Sequence, residues 1–188
     1  MDKRAELLQR ALDLFSSEGY SSTGIQRIVD AAGVKKPTLY HYFGSKEGLL
    51  QTLFEEGFKP FVAGLREDAV YQGDLVLTLE KIIARYFRFV EEQPQVFRLI
   101  SSLAFGPREN EAVRSALALL QEPHTILEQL FVAAVPDHGN LRGKQRLLAL
   151  TLHGMITVYC MLHLQTGEPL DGVRLQEIRR QFMHGIFS

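Results

Sequence analysis

Apolar residues recur along this chain at helical intervals, and Pro and Gly cut the pattern into segments. Over residues 2–17, Leu8, Ala11, Leu12 and Phe15 lie on one stripe that stops near Gly19, which predicts a first amphipathic helix. Ile25, Ile28, Val29 and Ala32 follow at i, i+3, i+4, i+7 spacing, a short second helix buried along one face. Thr23 and Gln26 have the Thr-x-x-Gln spacing of a capping box, which would start that helix at about Gly24. Gly33 then supplies the left-handed residue at which a helix ends without steric cost. Pro37 suits the first turn of a third helix over residues 36–43, held inward by Leu39 and Phe43. Further on, Leu50, Leu53, Phe54, Phe58, Phe61 and Leu65 mark a long fourth helix over residues 46–69, which Pro60 should kink or divide because it removes a backbone bond. The remaining pattern predicts helices over residues 74–93, 94–106, 107–135 with an interruption near Pro123, 144–165 and 170–187, with a loop at 136–143. No run alternates with the two-residue period of a strand, so the fold class is all-α.

Two short helices joined by a tight glycine turn make a helix-turn-helix, whose second helix enters a major groove. With Leu39 and Phe43 turned inward, Lys36, Pro37, Thr38, Tyr40, His41 and Tyr42 remain for the outer faces. Lys36 and Thr38 have the reach and the donors for base edges or phosphate oxygens, and Pro37 offers an apolar surface to a thymine methyl. Tyr40 and Tyr42 carry rigid hydroxyls suited to phosphate. Lys46 follows the expected cap Ser45, where its ammonium and the free N–H groups of a helix start jointly favour an anion.

The stretch GVKKPTLYHYFGSKEGLL, preceded by ALDLFSSEGYSST, resembles the signature of the TetR family of bacterial transcriptional regulators. The likeness begins around Leu8 and fades after about Leu53. It implies an all-helical homodimer with an N-terminal three-helix DNA-binding unit and a variable helical effector domain. The chain would then divide into a DNA-binding domain over 1–46 and an effector-binding and dimerisation domain over 47–188. Position by position, Gln26, Lys36, Pro37 and Thr38 fall where the family tends to read bases, and Tyr40, Tyr42 and Lys46 where it usually holds phosphates. With Lys35 and His41 these make the expected DNA-facing set. Two positions depart from the family pattern. Lys35 stands where a serine or threonine cap is common, and Val29 stands where alanine is usual, which implies slightly looser helix packing.

Charge adds little to this picture. The 188 residues carry a net charge of −1 and are 46% hydrophobic, ordinary for a globular protein. Any positive patch must therefore come from arrangement, with Lys35, Lys36 and Lys46 close together and Lys3 and Arg4 as a basic N-terminal arm. The single Cys160 excludes an internal disulfide framework and fits a reducing cytoplasm. The first residues, MDKRAELLQRALDLF, read as an amphipathic helix and not as a secretory signal. Residues 147–164 hold no charge, the lower edge of a membrane span. Yet Thr151, His153, Gly154, Thr157 and His163 interrupt the run, and a buried or partner-covered helix has the same character, so no membrane is expected.

A lone helix-turn-helix contacts few base pairs, so useful specificity asks for two copies on a palindromic operator in double-stranded DNA. The apolar helix over 147–164 and the final helix bearing Val173, Ile178, Phe182 and Ile186 are the expected homodimer seam, within about residues 144–187. For a small-molecule effector, an apolar cavity with a few polar anchors is the usual composition, and Tyr86, Phe97, Phe105, His153 and Tyr159 are the candidate lining. The function read from the chain is a sequence-specific regulator, a repressor released by a small, mostly apolar ligand. Alternatives are a metal-responsive regulator using His153, His163, Cys160 or His184, and a helical enzyme using His153, Cys160 and His163. No Gly-x-Ser-x-Gly elbow, phosphate-cradling glycine loop or His-Glu-x-x-His helix occurs. Ten residues part the two helical histidines, too far for one ion. No catalytic residue, metal or cofactor is therefore assigned.

Overall fold

The computed structural model describes residues 2–104, 114 and 118–185; within these the hydrophobic stripes become helices and no strand occurs, while the first part of the helix expected over 107–135 lies outside the described residues. Helix α1 spans Lys3–Glu18 and is capped by Asp2, whose carboxylate accepts the amide of Arg4 at 3.0 Å. Its buried stripe is Leu7, Ala11, Leu12 and Phe15, with Leu8 only part-buried. Helices α2 (Ile25–Ala31), α3 (Lys36–Phe43) and α4 (Lys46–Leu53) follow. The ladder then widens into one π-type turn, Phe54–Phe58, before α5 (Lys59–Asp68). Next come α6 (Leu75–Glu92) and α7 (Pro94–Ala104). Beyond a stretch outside the described residues lie α8 (Glu122–Ala134), a 3-10 turn at Gly139–Leu141, α9 (Gln145–Thr166) and α10 (Gly172–His184).

These helices sort into two compact units, one built from residues 1–60 and 93–120, the other from 61–92 and 121–188. In the first, α1 packs on α2, α3, α4 and α7, and Leu7, Phe15, Ile28, Leu39 and Leu49 are fully buried. In the second, α9 packs on α6, α8 and α10, around Ile82, Leu127, Leu152, Ile156 and Ile178.

Three expectations change on the structure. The capping box does not form. Thr23 is fully buried, and its hydroxyl donates to the Gly19 carbonyl at 2.9 Å, while Gln26 donates to Asp30 at 2.8 Å. The residue that precedes α2 is Gly24, with no side-chain cap, because the threonine is spent tying the end of α1 to the loop. The break expected at Pro60 lies ahead of it, in the turn Phe54–Phe58, where the Lys59 amide reaches back five residues to the Phe54 carbonyl. A proline brings no N–H and crowds the carbonyl four residues earlier; widening the preceding turn relieves that crowding and leaves Pro60 in the first turn of α5. Third, Arg4 is no loose arm. It is part of α1, bonds Glu56 at 2.6 Å and lies 5.5 Å from the Phe43 ring centre.

Helix α9 is long and apolar enough to cross a membrane by length and composition, and only 22% of its most apolar window is buried. Its core face is Ala149, Leu152, Ile156 and Cys160. The opposite face exposes Leu147 (64%), Leu150 (44%) and Val158 (54%). On α10, Ile178 goes to the unit's own core, Phe182 lies 5.9 Å from Phe131, and Val173 stays exposed. Ile186 lies outside the described residues.

Candidate nucleic-acid interface

The turn between α2 and α3 closes by backbone bonds alone. The Gly33 amide donates to Asp30 at 3.2 Å and the Val34 amide to Val29 at 2.9 Å, with Gly33 at φ +62°. That left-handed residue lets the chain turn within the four residues 32–35 and start α3 at Lys36, where Pro37 occupies the first turn. Val29 is buried at the junction. Leu39 (0% exposed) and Phe43 (9%) anchor α3.

Everything else on that helix faces outward. Lys35, Lys36, Pro37, Tyr40, His41 and Tyr42 are exposed and Thr38 is part-exposed. Pro37 and His41, four residues apart, stand opposite Leu39 and crown the outward ridge, flanked by Thr38 and Tyr40. The His41 and Tyr42 rings meet edge to face at 5.1 Å, which limits their freedom without burying them. Among the described residues no ion pair holds Lys35 or Lys36, so both ammonium groups remain available to a polyanion. Gln26 is exposed on α2 and is held by Asp30.

The far end of α3 is set by the expected cap Ser45 and by two glycines the sequence reading passed over, Gly44 and Gly48. Gly44, at φ +71°, ends the helix, and Ser45 caps α4 by accepting the Gly48 amide at 3.1 Å. Glycine at position 48 is what lets the backbones meet this closely, because a Cβ there would lie 1.9 Å from the Phe43 carbonyl oxygen and force a shift. A glycine early in a helix, where it is a poor former, was the available signal. Lys46 is part-buried, with Nζ 4.2 Å from the Tyr20 ring centre and 5.9 Å from that of Phe15. Burial lowers its pKa from the usual lysine value, against a smaller opposing effect of Glu47.

In the second unit, two of the candidate effector residues meet. The Tyr86 hydroxyl lies 2.8 Å from His153 Nδ1, and the His153 ring stands edge-on to His124 at 4.3 Å. Burial raises the Tyr86 pKa and, with His124 as a smaller cause, lowers that of His153 to about 3. The imidazole is therefore neutral, and its Nδ1 and the phenol share one hydrogen bond. Phe61 extends the cluster, stacked on Phe89 at 4.4 Å and edge-on to Tyr86 at 4.8 Å. Tyr159 is elsewhere, under the Arg174 guanidinium at 5.1 Å. Phe97 is buried in the first unit, and Phe105 lies outside the described residues. His163 Nδ1 pairs with the Glu168 carbonyl at 2.7 Å. Among the described residues no three His, Cys, Asp or Glu side chains are grouped to hold a metal ion.

With this geometry in place, comparison with known proteins converges. Residues 7–53 match the family model of the bacterial regulatory proteins of the tetR family. The HTH-type transcriptional activator FasR of Mycolicibacterium smegmatis is 26% identical over 187 residues, 100% of this chain and 84% of that one. The fatty acid metabolism regulator protein of Bacillus subtilis is 28% identical over 165 residues, 85% of this chain and 84% of that one. The crystal structure of the Bacillus subtilis transcriptional regulator FadR in complex with stearoyl-CoA shares the fold, with a TM-score of 0.76 and 19% identity over 97% of this chain and 98% of that one. The helix-turn-helix, its outward amines and phenols and these likenesses lead to one assignment: the chain belongs to the TetR family of DNA-binding transcriptional regulators.

Proposed function

We propose that the chain is a cytoplasmic, homodimeric repressor that holds a palindromic operator through residues 1–46 and is released when residues 47–188 bind a small, largely apolar effector. The observation that carries the reading is α3. Its two apolar side chains are buried, and a continuous outer face of Lys35, Lys36, Pro37, Thr38, Tyr40, His41 and Tyr42 is left to a groove. Gln26, Lys36, Pro37 and Thr38 read bases, while Tyr40, Tyr42 and Lys46 hold phosphates. The apolar stripe Leu147, Leu150 and Val158 on α9 is the seam that pairs two copies, and two recognition helices about one duplex turn apart require a two-fold operator. A buried thiol with its pKa pushed up to about 12 makes Cys160 a packing residue and a poor nucleophile, so the regulator reading is preferred to an enzyme.

For the effector we infer an acyl chain with a polar carbonyl end. FadR of Bacillus subtilis binds stearoyl-CoA, and the fully buried Tyr86 hydroxyl paired with His153 offers this chain a polar anchor in apolar surroundings. Two measurements test the proposal. Selection of bound duplexes from a random pool should return a palindrome; a pool without enrichment overturns the DNA reading. Stearoyl-CoA added to the selected complex should release the duplex; retention across a saturating titration removes the acyl effector and leaves the DNA reading standing.

A further inference from the structure

Lys46 is one residue from a carboxylate that could neutralise it, yet the two are kept apart. The Tyr20 hydroxyl donates to Glu47 Oε1 at 3.3 Å, and the Glu47 backbone amide bonds the same carboxylate, holding its pKa below the usual range. Among the described residues no carboxylate lies within ion-pair distance of Lys46. The ammonium rests instead on the face of Tyr20, 4.2 Å from the ring centre, and Tyr20 is itself fixed, 2% exposed and edge-on to Phe15 at 5.0 Å. A ring face attracts a cation through its quadrupole and takes up none of its three N–H donors. A free lysine must freeze a long, mobile stem to grip a phosphate; this one is held before the phosphate arrives.

We propose that Tyr20 is a positioning residue for DNA binding. Its ring poses the Lys46 ammonium at the start of α4, and its hydroxyl holds Glu47 off that amine, so that both copies of Lys46 meet phosphates pre-ordered. The inference rests on the DNA-binding reading above. Tyr20 touches no DNA in this scheme and acts only through Lys46.

A double-mutant cycle on the selected operator separates this role from mere packing. Lys46→Met should weaken binding by about tenfold and reduce the slope of log affinity against log salt by about 0.9 for each lysine lost. Tyr20→Leu should give a smaller loss, about three- to tenfold, with a fall in slope no larger than that of Lys46→Met. In the Lys46→Met background Tyr20→Leu should cost nothing further, whereas equal losses in both backgrounds would overturn the proposal. Tyr20→Phe keeps the ring and should lose no more than about threefold. Because Tyr20→Leu opens a cavity, a second reading uses the unaltered protein. Ring current should shift the Lys46 ε-methylene protons upfield, free and operator-bound alike. Loss of that shift on binding would mean that the amine leaves the ring, and the proposal would fail. Unaltered protein that binds no duplex would overturn the parent reading together with this one.

Discussion

Lys36 opens α3 with its ammonium unpaired among the described residues, beside an exposed Pro37 and a part-exposed Thr38. At that position a lysine can reach the N7 and O6 acceptors of guanine. Lys36→Ala is expected to cost about 1–3 kcal/mol on the best operator and to relax preference at one base position. Binding measured against single-base operator variants checks this, and a loss equal on all sequences would move Lys36 from base reading to phosphate holding. His153 makes a prediction of a different kind. Burial keeps its folded-state pKa at about 3, whereas in the unfolded chain an imidazole titrates near 6.5. Acid therefore adds a proton to the unfolded state first. The stabilising contribution is complete above about pH 6.5 and is lost as pH falls toward 3, at up to about 1.4 kcal/mol per unit. Denaturant melts between about pH 7 and 5 should show this slope, and His153→Gln should flatten it; an unchanged slope would mean that another group titrates.

At the scale of elements, the junction of α3 and α4 is the tightest local fit. Gly48→Ala would drive a methyl into the Phe43 carbonyl, and backbone cannot yield as a side-chain tip can. The expected cost is about 1–3 kcal/mol from overpacking, opposed by roughly 1 kcal/mol of helix propensity. Thermal melting checks the sign, and a more stable variant would show that α4 shifts freely against α3. Most helices were legible in the sequence because stripe and punctuation agreed: Gly33 and Ser45 ended or started helices where expected, and Leu39 and Phe43 went inside. What escaped reading was decided by contacts and turn geometry that the apolar pattern does not carry. Thr23 looked like a cap but answers to the carbonyls of α1. Arg4 looked like a free arm but meets Glu56, far along the sequence. The place where Pro60 breaks the helix depends on which turn can widen, and composition carries no trace of that. The outward side of α3 was legible for the opposite reason, since a short helix with two apolar residues has only one way to sit.

For the whole molecule, the proposed dimer seam on the outer face of α9 would decide whether two readers act together. Val158→Glu places a charge where a partner's apolar face is expected. An uncompensated buried charge costs about 3–5 kcal/mol, more than 100-fold in dimer affinity, and operator binding should fail with it. Sedimentation at micromolar concentration checks the first effect and gel shift the second; a variant that still dimerises would place the seam on other residues. A last consequence comes from how the first unit is stitched together. Its two sections, 1–60 and 93–120, are interrupted by the first section of the second unit, 61–92, and α7 covers α1 from the later section. A fragment cut after the third or fourth helix would carry the reading surface yet leave a flank of α1 bare and greasy. Chimeras that graft this reader onto a foreign sensor must therefore transplant the α7 segment as well, or accept a sticky product.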